Sequence, residues 1–166
     1  MIRVLFVCLG NICRSPMAEA VFRDMIKKEG LEQYFEVDSA GIGGWHTGEP
    51  PHHGTRKILD QHGISFKGQY ARQIRKEDFN KYDYIIGMDE DNIADLKRLM
   101  NPSSNAFVGK LLDFVEDRKE KDVPDPYYTG NFEYVYELVT DGCRSFLEKV
   151  IEDHNLKTGD GVDGGK

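Results

Sequence analysis

Cys8 and Arg14 stand six positions apart in the run Val7-Cys8-Leu9-Gly10-Asn11-Ile12-Cys13-Arg14-Ser15-Pro16. A thiol and a guanidinium at this spacing suggest attack on an oxyanion that the arginine holds. A cysteine thiolate can attack phosphorus and form a covalent intermediate. Arginine offers a planar, permanently charged fork for two phosphate oxygens. The flanking elements suit such a site. Val4-Leu5-Phe6-Val7 is β-branched and aromatic, as in a fully buried strand. From Ser15 onward, Pro16 suits a first helical turn, and Met17, Ala20, Val21, Met25 and Ile26 fall on one side. The loop therefore joins a strand to a helix N-terminus, where backbone N–H groups and the positive helix end converge on an anion. The same field favours thiolate over thiol. A nucleophile inside an oxyanion cradle is the core of a phosphatase that works through a phosphocysteine.

The other loop residues have structural readings beside the chemical one. A cradle whose N–H groups point inward, from Leu9 to Cys13, needs positive φ somewhere, and Gly10 and Asn11 adopt it at least cost. Ser15 reads as a helix N-cap, and its hydroxyl can also donate to the Cys8 thiolate. Cys13 is close enough to Cys8 in sequence to form a redox pair with it. Cys143 falls on the apolar side of the last helix and reads as core.

Strand and helix signals alternate along the chain: strands over 3–8, 35–39, 84–88 and, shorter, 106–108; helices over 15–29, 51–62, 91–100 and 132–154. The pattern predicts an α/β three-layer sandwich, a four-stranded parallel sheet covered by helices on both faces. In such sheets ligands bind at the carboxyl ends of strands, near a topological switch. The Cys8 loop is at such an end. One domain over 1–155 is expected, with a disordered tail over 156–166, which is rich in Gly and Asp.

Composition sets further bounds. A chain of 166 residues that is 39% hydrophobic and 31% charged fits one soluble domain. The net charge of −7 and the lack of a basic stripe argue against nucleic-acid binding. Three cysteines, an odd number, do not form a disulfide framework. The apolar start is short, runs into Arg14 and has no signal-peptidase site after it. No stretch reaches membrane-spanning length. A cytoplasmic monomer is expected. His46, His52 and His53 do not read as a metal site, because adjacent histidines rarely ligate one ion together. No Walker A or G-x-G-x-x-G pattern appears, so neither metal nor nucleotide cofactor is expected.

The C-x5-R-S loop from Cys8 to Ser15 resembles that of the low-molecular-weight protein tyrosine phosphatases. Further segments resemble the same family in its order: Asp38-Ser39-Ala40-Gly41, Gly48-Glu49-Pro50-Pro51-His52, His62-Gly63-Ile64, Ala71-Arg72-Gln73, Tyr82 through Asp89, and Val123-Pro124-Asp125-Pro126-Tyr127-Tyr128. The resemblance runs from about Arg3 to about Glu152. It implies that Asp125 lies near Cys8, which spacing alone does not place there. Flanked by two prolines, Asp125 reads on its own as a rigid turn. Beside Cys8 it can protonate a leaving phenol, whose free pKa is about 10, and then activate water as a carboxylate. The resemblance also implies that Asn11, Ser15, Ser39 and His62 form one polar network, and that Asp89 orients Arg14. Asp89 reads equally well as a helix N-terminal carboxylate. Trp45, in a Gly-rich loop, and Tyr127 and Tyr128 read as aromatic walls for a phenyl ring. Each such contact is worth about 0.5–1.5 kcal/mol. Within the family, threonine at the position of Ile12 goes with phosphoarginine phosphatases and isoleucine with tyrosine phosphatases. The expected partners are therefore phosphotyrosine proteins, with phosphate and similar oxyanions as ligands. Some bacterial relatives imply export without a leader.

Other activities fit parts of the pattern. An arsenate reductase on the same fold would need further cysteines to shuttle a disulfide, and none lies between Cys13 and Cys143. A phosphocysteine relay domain would need neither Asp125 nor a hydrolytic water. A phosphotyrosine-binding module without chemistry is hard to reconcile with Cys8, Arg14 and Asp125 all being present. A phosphoarginine phosphatase remains a variant of the same chemistry.

Overall fold

The computed structural model describes residues 1–157. Four parallel strands form one sheet in the order β2-β1-β3-β4: β1 Ile2–Cys8, β2 Phe35–Gly41, β3 Tyr84–Gly87 and β4 Phe107–Lys110. β1 lies centrally, with Cys8 level with Gly41 of β2 and Val7 level with Gly87 of β3. Alternate β1 side chains enter two cores. Val4, Phe6 and Cys8 join the core built with α1 (Arg14–Lys28) and α6 (Phe132–His154). Leu5 and Val7 join the core built with α3 (Asp78–Lys81) and α4 (Glu90–Leu99). Burial on both faces explains why β1 is apolar from Val4 to Cys8. Phe6, Phe22 and Phe146 pack at centroid distances of 5.5–6.2 Å and join α1 and α6 to the sheet.

The chain goes from β1 to β2 on one side and then crosses to β3 on the other. The switch point is thus at the carboxyl end of β1, where the Cys8 loop begins. α2 (His53–Gln61) and α5 (Pro126–Thr129) complete the helices.

The expected α/β sandwich is present, and α6 has the expected bounds. Other edges move by a few residues: α1 starts at Arg14, β2 extends to Gly41 and α2 starts at His53. Leu156 packs on the core and its N–H donates to Ile151 O, so the fold reaches past 155. From 158 onward the expected disordered tail lies outside the described residues. Among the described residues no helix is long and apolar enough to cross a membrane.

Candidate active site

The loop from Cys8 to Arg14 curls because its carbonyls are tied to neighbouring segments. Cys8 O accepts from Ile42 N–H, Leu9 O from Gly43 N–H and Ile12 O from His52 N–H, at 2.7–3.0 Å. Cys13 O accepts from the Thr55 hydroxyl at 3.1 Å. The carbonyls of Cys8, Leu9, Ile12 and Cys13 are thus engaged by segments outside the loop. Among the described residues, the N–H groups of 9–13 donate to no protein acceptor. Orphan amides converging at a helix N-terminus make an anion cradle.

Asn11 takes the positive φ that the curl needs, at 60°. Gly10 does not, contrary to expectation. It is small for another reason: a Cβ there would lie 3.1 Å from the His46 ring. Both ends of the Asn11 amide are held. Its Nδ2 donates to Ser15 Oγ at 2.7 Å and to Ser39 Oγ at 3.0 Å, and its Oδ1 accepts from Arg72 N–H at 3.0 Å.

The expected network is present except for His62. That residue ends α2, is exposed, and stacks on Tyr136 at 4.1 Å. Glu19 joins the network instead, its Oε1 accepting from Ser39 Oγ at 2.7 Å. Burial pushes the Glu19 carboxyl up, while Ser39 and Arg23 pull it back. Glu19 was missed because its only local signal is a position one turn along the helix from Ser15.

Ser15 is not the N-cap. Cys13 holds that position and makes no side-chain cap bond. The Ser15 hydroxyl lies 3.1 Å from Cys8 Sγ, and the Ser15 N–H donates to the same sulfur at 3.4 Å. Against a thiolate, the hydroxyl is the donor of the Oγ–Sγ pair, beside the N–H.

Arg14 is 2% exposed. Its Nη1 donates to Asp89 Oδ2 at 2.6 Å and to Val123 O at 2.9 Å, and its Nη2 to Asp125 Oδ2 at 3.3 Å. Burial works against the charge, but Cys8, Asp89 and Asp125 outweigh it and strengthen proton binding. Arg14 Nε is buried without a partner among the described residues. A buried N–H left this way costs about 1–3 kcal/mol, and an oxyanion in the cradle would satisfy it.

Asp125 comes to Cys8 as the resemblance implied. Both line a cleft of about 240 Å³ with Leu9, Gly10, Ile12 and Cys13. Trp45, Tyr127 and Tyr128 form its rim, 69%, 53% and 75% exposed. The Trp45 ring lies over Gly43, where a Cβ would come within 1.9 Å of it. His46 also lines the cleft; the sequence gives it no role there, and no metal reading either. Asp125 Oδ1 accepts from Tyr127 N–H at 3.1 Å, so one turn at the start of α5 carries the carboxylate and the exposed Tyr127 ring. Burial, then the Cys8 charge, pushes the Cys13 thiol up to about 12. Cys143 is fully buried, as expected, and burial pushes its thiol up as well. A larger groove of about 670 Å³ lies between α1, β2 and the 63–70 loop, but no cysteine lines it.

Known proteins share this architecture. The low molecular weight protein-tyrosine-phosphatase YfkJ of Bacillus subtilis is 54% identical over 156 residues, spanning 94% of this chain and all of YfkJ. Its crystal structure superposes with a TM-score of 0.90, covering 94% of this chain and 98% of that one. PtpA of Staphylococcus aureus, which carries the same family name, is 46% identical over 159 residues, spanning 96% of this chain and all of PtpA. The crystal structure of a Drosophila arginine phosphatase is 36% identical, with a TM-score of 0.83, covering 89% of this chain and 96% of that one. Residues 3–156 match the family model described as low molecular weight phosphotyrosine protein phosphatase, and the chain belongs to that family.

Proposed function

We propose that this chain hydrolyses phosphotyrosine monoesters in proteins, through a phosphocysteine on Cys8 and without a metal. One observation carries the reading: Arg14 Nε and the N–H groups of 9–13, all without protein partners among the described residues, belong to the loop that leaves β1 at the Cys8 thiol. That arrangement fits a tetrahedral oxyanion bound against a nucleophile.

In the first step the Cys8 thiolate attacks phosphorus, an S–P bond forms and the bond from phosphorus to the phenolic oxygen breaks. Arg14 and the loop amides hold the other phosphoryl oxygens, whose charge is best stabilised by donors already in place. Asp125, in its acid form, gives its proton to the departing phenolate. In the second step the Asp125 carboxylate takes a proton from water, and that oxygen attacks phosphorus. The S–P bond breaks, phosphate leaves and the Cys8 thiolate returns. Donation from Ser15 at 3.1 Å stabilises the sulfur as leaving group. Every group comes from one chain, so the reaction asks for no second copy.

Trp45, Tyr127 and Tyr128 around a cleft with Ile12 in its lining favour an aryl ester. Three free cysteines, one of them the nucleophile, fit a reducing compartment, and the cytoplasm is the proposed site of action. The test is phosphate release from an aryl phosphate, with and without a chelator. Turnover indifferent to chelator supports the reading. No turnover, or turnover that a chelator abolishes, contradicts it.

A further inference from the structure

His52 joins the segment that carries Asp125 to the segment that carries Cys8. We propose that His52 is a positioning residue for proton transfer, its ring holding the Tyr127 turn, and with it Asp125, in register with the phosphate loop. The proposal rests on the reading of Asp125 as the acid.

Three sets of contacts support it. The His52 main chain is fixed to the loop, since its N–H donates to Ile12 O at 2.7 Å. The His52 ring meets the Tyr127 ring edge-on at 6.0 Å and 78°. It stacks on Phe132 at 5.1 Å and 18°, and Phe132 packs in turn on the cluster of Ile12, Cys13 and Ala71. The ring's rotation is also set, because Nδ1 accepts from Gly54 N–H at 3.0 Å and caps α2. Gly54 makes room for this stack: a Cβ there would lie 2.5 Å from the Phe132 ring.

The turn needs such a hold. Asp125 and Tyr127 are joined by the hydrogen bond from Tyr127 N–H to Asp125 Oδ1, so moving one moves the other. Val123 and Pro126 anchor the turn from inside, through Arg14 Nη1 and burial respectively. On the outer side Tyr127 and Tyr128 are exposed, and His52 and, less closely, His46 are the histidine rings that meet Tyr127. Burial, then the charges of His53, Arg56 and His46, hold the His52 imidazole below its usual range against the pull of Asp125. This direction favours the neutral ring, and the hydrogen bond from Gly54 N–H marks Nδ1 as its acceptor.

The experiment compares kcat/KM for phenyl phosphate, a basic leaving group, and dinitrophenyl phosphate, an activated one. Wild type, His52→Ala, His52→Phe and His52→Asn are measured, with inhibition by inorganic phosphate alongside. His52→Ala should lose about tenfold or more on phenyl phosphate and little on the activated ester, since misplacing a catalytic group by about an ångström has effects of this size or larger. Phosphate inhibition should hold, because the cradle is intact. His52→Phe keeps the ring without the cap and should recover most of the phenyl phosphate rate. His52→Asn keeps the cap without the ring and should not; it gives the same comparison if His52→Ala fails to fold. Equal losses on both esters, or rescue by asparagine but not phenylalanine, would reduce His52 to a helix cap and overturn the proposal alone. Wild type inert toward both esters would overturn the phosphatase reading as well.

Discussion

Asp89 holds Arg14 with one carboxylate oxygen and caps α4 with the other. Oδ2 accepts from Arg14 Nη1 at 2.6 Å, and Oδ1 accepts from Asn92 N–H at 2.8 Å. Asn92 completes a capping box by accepting from the Asp89 N–H. The two sequence readings of Asp89, helix cap and arginine orienter, are therefore both realised by one side chain. The α4 N-terminus fixes the carboxylate, and the carboxylate fixes the guanidinium.

Separating these duties gives a prediction. Asp89→Ala should cost about 0.5–2 kcal/mol of stability from the lost cap and should weaken phosphate binding. Asp89→Asn caps as well as aspartate, so it should recover most of the Tm yet leave turnover impaired, because a neutral amide holds Arg14 less strongly. Thermal melts with and without phosphate, beside kcat, decide this. Full activity in Asp89→Asn would show that Arg14 needs no charged anchor there.

Asp125→Ala should lower kcat/KM by roughly 10²-fold or more for esters of basic phenols and far less for activated ones. Any limb of the pH profile that needs a protonated donor should weaken too. A leaving-group series across pH tests both. Equal loss across the series would remove Asp125 from the role of donor.

The Cys13 thiol, pushed up to about 12 by burial and then by the Cys8 charge, should resist alkylation at neutral pH while Cys8 reacts. In Cys8→Ser the second cause is gone, so Cys13 should titrate lower than in wild type. After mild peroxide, Cys8 sulfenic acid should be captured by Cys13 as a disulfide that a dithiol reverses. Cys13→Ser should then lose activity irreversibly. Complete dithiol recovery without Cys13 would deny it a protective role.

Ile12 lines the cleft beside Cys8. An apolar side chain suits the edge of a phenyl ester and offers no polar partner to a guanidinium. Ile12→Thr should shift the ratio of kcat/KM from phosphotyrosine toward phosphoarginine, by roughly 1–3 kcal/mol of selectivity. Both substrates on both proteins provide the measurement. An unchanged ratio, or a wild type that already favours phosphoarginine, would remove Ile12 from that role.

What the sequence reveals and what it hides divide along chain distance. Cys8, Arg14 and Ser15 are legible because nucleophile, fork and helix start lie within one loop. β1 and α6 are legible because their apolar patterns are long. α3 and α5, at four residues each, are too short for any periodic signal. Asp125 reaches Arg14 across 111 positions, and no local pattern encodes that meeting; family resemblance alone suggested it. The expectation for His62 came from the same resemblance, and this chain departs from it at that residue. Its place in the network fell to Glu19, and the Asn11 carbonyl is held by the main chain of Arg72, 61 positions away. Backbone donors carry no residue signature, so sequence could not have found that contact.

The most direct test of the central claim is rapid acid quench of the reaction with an aryl phosphate, followed by mass spectrometry of the peptide that contains Cys8. Asp125→Ala on an activated ester should accumulate the intermediate, because it has lost the base for the second step. The expected result is a phosphoryl group on Cys8 in wild type and more of it in Asp125→Ala. Cys8→Ser should show no adduct and no turnover, yet still gain Tm on adding phosphate through the intact cradle. Turnover that persists in Cys8→Ser, or a phosphoryl group found on another residue, would contradict the account.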